Sequence, residues 1–271
     1  MAGMELPPNL GPKLGEVKSN LQSWSLAAWV SFWGFIPITL LALAALPQSV
    51  KEGWFILNTA HPERLSAWFL SSYTHSQLYP HLAGNLAVYF ITLLMIFSFE
   101  NRHRRFRLLA GWSFLAVPLV SSLLTILFWG YLGVSTSGQG FSAVNGALLA
   151  YAMFIFIVWG LEDRLEVFDH PEWFGGARFR FFVLQLLLTI MLVLVMVMGL
   201  LTGVFMDLGG SVSNGIAHFG GYVTSLAVLF VFDERTERRR YFDTMLGLSI
   251  LVGVIAYAYY LVLLVRLVTV A

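Results

Sequence analysis

Long apolar runs separated by short polar breaks dominate the chain. A membrane-crossing helix takes about 20 mainly apolar residues. The pattern predicts seven, over about 27–46, 80–98, 108–130, 142–161, 181–204, 215–232 and 244–268. The segment 47–79 is not a span, because Lys51, Glu52, Glu63 and Arg64 interrupt it. Yet Trp54, Phe55, Trp68, Phe69 and Leu70 make it too apolar for a free loop, and a half-submerged interfacial segment is expected. Residues 1–25 are mixed and polar, with Pro7, Pro8 and Pro12, and lack the basic-then-apolar layout of a signal peptide. They are expected to form a short, poorly ordered cytoplasmic tail.

Composition strengthens the membrane reading. The chain is 58% hydrophobic and 11% charged, against about 25% charged in soluble domains. The expected fold class is therefore all-α, a polytopic transmembrane helix bundle. A net charge of +1 suggests no nucleic-acid partner. The absence of cysteine excludes disulfides, a thiol nucleophile and thiolate metal ligation.

The distribution of charge orients the bundle. Arginines cluster after span two (ENRHRRFR), after span four (Arg164, Arg178, Arg180) and after span six (DERTERRR). The stretches GYLGVSTSGQG and MDLGGSVSNG on the other side carry no Lys or Arg. Basic loops stay cytoplasmic, so a cytoplasmic N-terminus and an external C-terminus are expected.

Polar residues inside spans are costly and mark function. His81 and Asn85 in span two, Ser142 at the start of span four and His218 in span six all enter from the external side. At 1.5 Å per helical residue they lie within roughly 10 Å of one face. A serine hydroxyl needs a base to become a nucleophile, and a neutral histidine can be that base. No Asp or Glu lies in these spans to form a third member, so a Ser142–His218 dyad is inferred. Ser142 begins a helix, whose first N–H groups lack partners and can stabilise an oxyanion. His81 and Asn85, four residues apart on one face, are candidates for further donors. Small residues at Ser142, Gly146 and Ala150, and at Gly221 and Ser225, would let spans four and six pack closely.

These residues, taken in order, resemble the rhomboid family of intramembrane serine proteases. His81-Leu-Ala-Gly-Asn85 is similar to its H-x-x-x-N, Gly140-Phe141-Ser142-Ala143 to its G-x-S-G, and the stretch from Ala217-His218 through Gly221 to Ser225 to its A-H-x-x-G-x-x-x-G. Glu100-Asn-Arg102 is a weaker echo of its E-x-R. Ala143 and Ser225 replace glycines, and Gly146 stands where many members carry an aromatic ring. His75 falls six residues before His81, where the family often has a histidine five before, and receives no role.

The resemblance implies a six-helix catalytic core over 26–232, with the basic loop and extra helix of 233–271 following it. It implies Ser142 as nucleophile, His218 as general base, Asn85 and His81 at the oxyanion, and no cofactor. The substrates would be single-span membrane proteins cut within or beside their transmembrane helices, with the fifth helix and the loop after it gating lateral access.

Each residue also has a plainer reading. Glu100–Arg102 is expected to be a cap and ion pair, and His61, His103 and His170 solvated loop residues. A catalytically silent rhomboid-like protein that binds membrane clients is the alternative. A seven-span transporter should show polar residues near the midplane or an inverted repeat. Neither is found, although Gln185 and Thr189 are mildly polar.

Overall fold

The computed structural model describes residues 10–75, 81–133, 135–165 and 215–232, with scattered positions between 176 and 191 and between 247 and 258. The expected spans at 181–204 and 244–268, the loop 205–214 and His170 therefore lie outside the described residues, apart from those scattered positions. The described part is mostly helical. Three stretches are long and apolar enough to cross a bilayer: α2 (Leu26–Ala44), α6 (His103–Tyr131) and the Ser142–Trp159 part of α7 (Ser142–Leu165). The chain is thus a membrane protein by the length and composition of its helices. Helices α5 (Ala83–Phe99) and α8 (Gly215–Phe232) are apolar but shorter.

Helix α7 is the axis of the bundle. Its apolar stretch is 89% buried, and α5, α6 and α8 all pack on it. Lipid tails supply no hydrophobic drive between helices, so close packing depends on small residues. A Cβ on Gly221 would lie 2.2 Å from the Ala143 carbonyl oxygen, and one on Gly146 would lie 2.7 Å from that of His218. Helices α7 and α8 thus cross backbone to backbone at the level of the candidate dyad.

Two prolines shape the outer helices. A proline in a helix lacks the N–H its turn needs and crowds the preceding carbonyls. π-turns form at Val30–Phe35 before Pro37 and at Trp112–Ala116 before Pro118. The Phe114 carbonyl, four residues before Pro118, accepts from the Tyr73 hydroxyl. The Phe32 carbonyl accepts from the Tyr89 hydroxyl at 2.8 Å. Each tyrosine ties a second element to a helix that proline has opened.

The N-terminal region departs from expectation. From Leu10 to Ser23 it forms a helix, α1, rather than an unordered tail. Asn20 and Trp24 are buried, and they donate to the carbonyls of Ser98 (3.1 Å) and Phe97 (3.0 Å). Those carbonyls belong to the last turn of α5, where no intrahelical donor remains. His103 is likewise not simply solvated, since it stacks on Trp24 at 4.3 Å and meets the Ser23 hydroxyl at 3.0 Å. Helix α6 starts at His103, five residues before the expected span. Its early start follows from Arg105, which reaches the buried Glu100 at 2.8 Å. Glu100 also caps the Arg102 N–H at 2.6 Å and accepts from the Tyr151 hydroxyl.

The segment after α2 covers the opposite end of the bundle. It contains α3 (Gln48–Trp54), β1 (Leu57–Asn58), α4 (Leu65–Leu70) and a short 3₁₀ turn at Ser71–Tyr73. β1 pairs antiparallel with β2 (Ser137–Gly138), Leu57 opposite Gly138. Ser122 on α6 donates to the Trp68 carbonyl at 2.7 Å. The buried Lys51 ammonium donates to the carbonyls of Ala44 (3.3 Å) and His75 (3.1 Å). This segment is therefore a packed cover over the start of α7. Trp54 and Leu65 remain exposed on it, as an interfacial segment requires.

Candidate functional site

The site is built around the turn that leads into α7. Gly140 adopts φ +132°, a conformation that L side chains rarely adopt. A Cβ there would sit 3.0 Å from His81 Nε2 and 3.1 Å from its Cε1. Glycine thus serves twice, for the backbone conformation and for the approach of the His81 ring. The Gly140 N–H donates to the Ser71 carbonyl at 2.8 Å, and the Phe141 N–H donates to His75 Nε2 at 3.3 Å. The Phe141 ring is fully buried among Tyr73, Tyr89 and Phe114, with centroids 5.5–6.0 Å away. The Asn145 N–H closes the first helical bond, to the Phe141 carbonyl at 3.0 Å. The N–H groups of Ser142 and Ala143 belong to the first turn, where no intrahelical acceptor exists.

Ser142 and His218 are brought together. His218 Nε2 lies 2.6 Å from Ser142 Oγ across the α7–α8 contact. Both are buried, at 8% and 2% exposure. Gly146 is one turn below Ser142 and touches the backbone of His218. An aromatic ring at that position would collide with α8, so the glycine belongs to the close crossing that sets the dyad distance.

His81 lies against Gly140, two residues from Ser142. Asn85 is fully buried, and its Nδ2 donates to the His81 carbonyl at 3.1 Å. Its Oδ1 and its backbone carbonyl both accept from Asn145 Nδ2, at 3.1 and 2.9 Å. Asn145 was visible in the sequence as a polar residue three past Ser142 but carried no expectation.

His75 also has a structural place that sequence reasoning missed. It is buried and packs edge-on against His81, with ring centroids 4.9 Å apart. Burial, the His81 ring and the Lys51 ammonium push its pKa down to about 3. It is therefore neutral at physiological pH, and Nε2 is an acceptor able to hold the Phe141 N–H. Its signal in the sequence was its type alone, because the spacing to His81 did not match.

A polar cavity of about 40 Å³ opens beside Ser142. Ser71, Ser72, Ser121, Ser122, Thr125 and Gln139 line it. That is room for on the order of two waters in a site with ample hydrogen-bonding partners. Among the described residues, no group of three or more His, Asp or Glu side chains could hold a metal ion.

The arrangement can place a hydroxyl, a base, helix N-terminal donors and water at one point. No protein-family model, no curated protein and no solved structure matches the chain.

Proposed function

We propose that the chain is a multi-pass intramembrane serine endopeptidase of the rhomboid type. It has a six-helix core over 26–232 and an additional C-terminal helix, about seven spans in all. Its N-terminus is cytoplasmic and its C-terminus external, with the cell membrane as its location. The observation that carries this reading is the 2.6 Å contact between Ser142 Oγ and His218 Nε2, residues of two apolar helices. A buried serine more often bonds back to its own helix. Here it meets a histidine from another.

The chemistry follows. Ser142 Oγ adds to the scissile carbonyl carbon while its proton passes to His218 Nε2. The Ser142 N–H meets the resulting oxyanion, and the side chains of Asn85 and His81 supply further donors. The C–N bond then breaks, His218 protonates the leaving amine, and an ester remains on Ser142. Water from the polar cavity attacks that ester while His218 takes its proton. The acid is released and the proton returns to Ser142. Substrates are single-span membrane proteins that approach through the lipid. Their scissile carbonyls are held in intrahelical bonds, so local unwinding precedes attack.

The test is incubation of the purified protein with a single-span reporter, together with labelling by a fluorophosphonate. Cleavage and labelling should both be lost in Ser142→Ala. A wild-type protein that neither cleaves nor is labelled would instead support a silent, client-binding relative.

A further inference from the structure

Asn145 lies three residues beyond Ser142 on α7, about one turn deeper into the bundle. It and Asn85 are both 0% exposed. The Asn85 backbone carbonyl can only accept, so Asn145 must turn its amide nitrogen toward it, at 2.9 Å. That same nitrogen lies 3.1 Å from the Asn85 side-chain oxygen. The network therefore decides which way the Asn85 amide points. Its oxygen is taken by Asn145. Its nitrogen is left with one hydrogen for the His81 carbonyl at 3.1 Å and one to give elsewhere.

Stability alone does not call for a full amide at Asn145. Its own Oδ1 is buried with no hydrogen-bond partner among the described residues. A half-satisfied amide in a core is a cost, although an apolar residue there would in turn leave the Asn85 side-chain oxygen without its donor. Without Asn145, only the His81 carbonyl would hold the Asn85 amide in its donor orientation, and the Asn85 oxygen would lose its donor.

We infer that Asn145 is a positioning residue that, together with the His81 carbonyl, holds the Asn85 amide in its donor orientation toward the carbonyl attacked by Ser142. The inference rests on the protease reading above.

The experiment uses the full chain in liposomes with a single-span reporter. It compares wild type, Asn145→Leu, Asn145→Ala, Asn85→Ala and the Asn145→Leu/Asn85→Ala double variant. Asn145→Leu should lower kcat about tenfold, less than the hundred- to thousandfold of losing a donor outright. KM should stay within about twofold, and Tm should fall modestly, because the buried Asn85 oxygen loses its donor. In the Asn85→Ala background the same change should alter kcat by less than about twofold, because the amide it positions is gone. Wild-type kcat in Asn145→Leu, or an equal drop in both backgrounds, overturns the inference. So does a loss of rate that follows Tm through both Asn145→Leu and Asn145→Ala. Fluorophosphonate labelling of Ser142 separates the two levels. Labelled wild type with additive effects removes only the role of Asn145, whereas unlabelled, inactive wild type removes the protease reading and this inference with it.

Discussion

Adding one methyl group at Gly221 should separate the proposed catalytic pair, Ser142 and His218. A Cβ there would lie 2.2 Å from the Ala143 carbonyl oxygen, a backbone atom of α7 that has no rotamer to escape into. A carbon beside a carbonyl oxygen needs about 3.3 Å, so the helices must part by about 1.1 Å. If that displacement is transmitted to His218, less than one turn away, the 2.6 Å dyad contact opens to about 3.7 Å, beyond hydrogen-bonding range. General-base assistance contributes about a hundred- to ten-thousandfold, and Gly221→Ala should lose at least the lower figure in initial rate of reporter cleavage. Gly220→Ala is the internal control. Its Cβ would meet Leu124 Cδ1 at 2.4 Å, the tip of a side chain that can turn aside, so its rate should stay close to wild type. Gly221→Ala cleaving at the wild-type rate while folded would show that the crossing does not set the dyad. Equal losses in both variants would show that any crowding of α8 has the same effect.

Ser142→Ala and His218→Ala should each reduce cleavage to background while the protein remains folded and inserted, as circular dichroism and gel filtration would show. Asn85→Ala and His81→Ala should keep partial activity, lower by about a hundred- to thousandfold at most for one donor. Tags on the two termini of intact cells should report a cytoplasmic N-terminus and an external C-terminus; both on one side would mean a miscounted span. Stability should fall on acidification through His75. With a folded pKa of about 3 and an unfolded value near 6.5, only the unfolded chain takes up the proton between those limits. The stabilisation is complete above pH 6.5 and shrinks as pH falls toward 3. It shrinks by about 1.4 kcal/mol per unit, so Tm should drop from pH 7 to pH 5 in wild type and less in His75→Gln. An equal drop in both proteins would assign the pH dependence to other groups.

Much of the described helical frame was legible because each expected element repeats one simple signal. Runs of about 20 apolar residues placed α2, α5, α7 and α8 within a few residues of their observed limits. What failed depended on contacts distant in sequence. The arginines of ENRHRRFR read as a loop, yet Arg105 continues α6 because Glu100 pairs with it. Helix α1 read as a tail because its anchors, Asn20 and Trp24, act only on the open carbonyls at the end of α5. Ser142 and His218 were singled out by residue type and shared depth, and their side chains meet at 2.6 Å. Gly146 and Gly221, where their helices cross, were singled out too, but the residues that brace the turn before Ser142 were not. His75 bonds a backbone N–H 66 positions away, and no local pattern encodes that.

The turn before Ser142, the proposed nucleophile, also narrows where an oxyanion can be met. The Gly140 and Phe141 N–H groups are already committed, to Ser71 and His75, and the Phe141 ring is locked among three aromatic rings. Neither N–H can turn toward a substrate without dismantling the cover that also buries Lys51. The donors that remain are those of the first turn of α7, beginning with Ser142, and the side chains of α5. A carbonyl attacked by Ser142 must therefore lie over the N-terminus of α7, beside the 40 Å³ cavity. In the proposed topology, with the basic loops cytoplasmic, that point is at the external end of the bundle. A substrate helix should then be cut in the outer third of its span, next to Gly, Ser or Pro, which lower the cost of unwinding. A small side chain should be preferred at the cleaved position, because the cavity beside it accommodates no large one. Moving a helix-breaking pair stepwise along a reporter helix tests both parts of the argument. The rate should fall as the pair moves inward, and efficient cleavage at the cytoplasmic end would contradict the placement of the site.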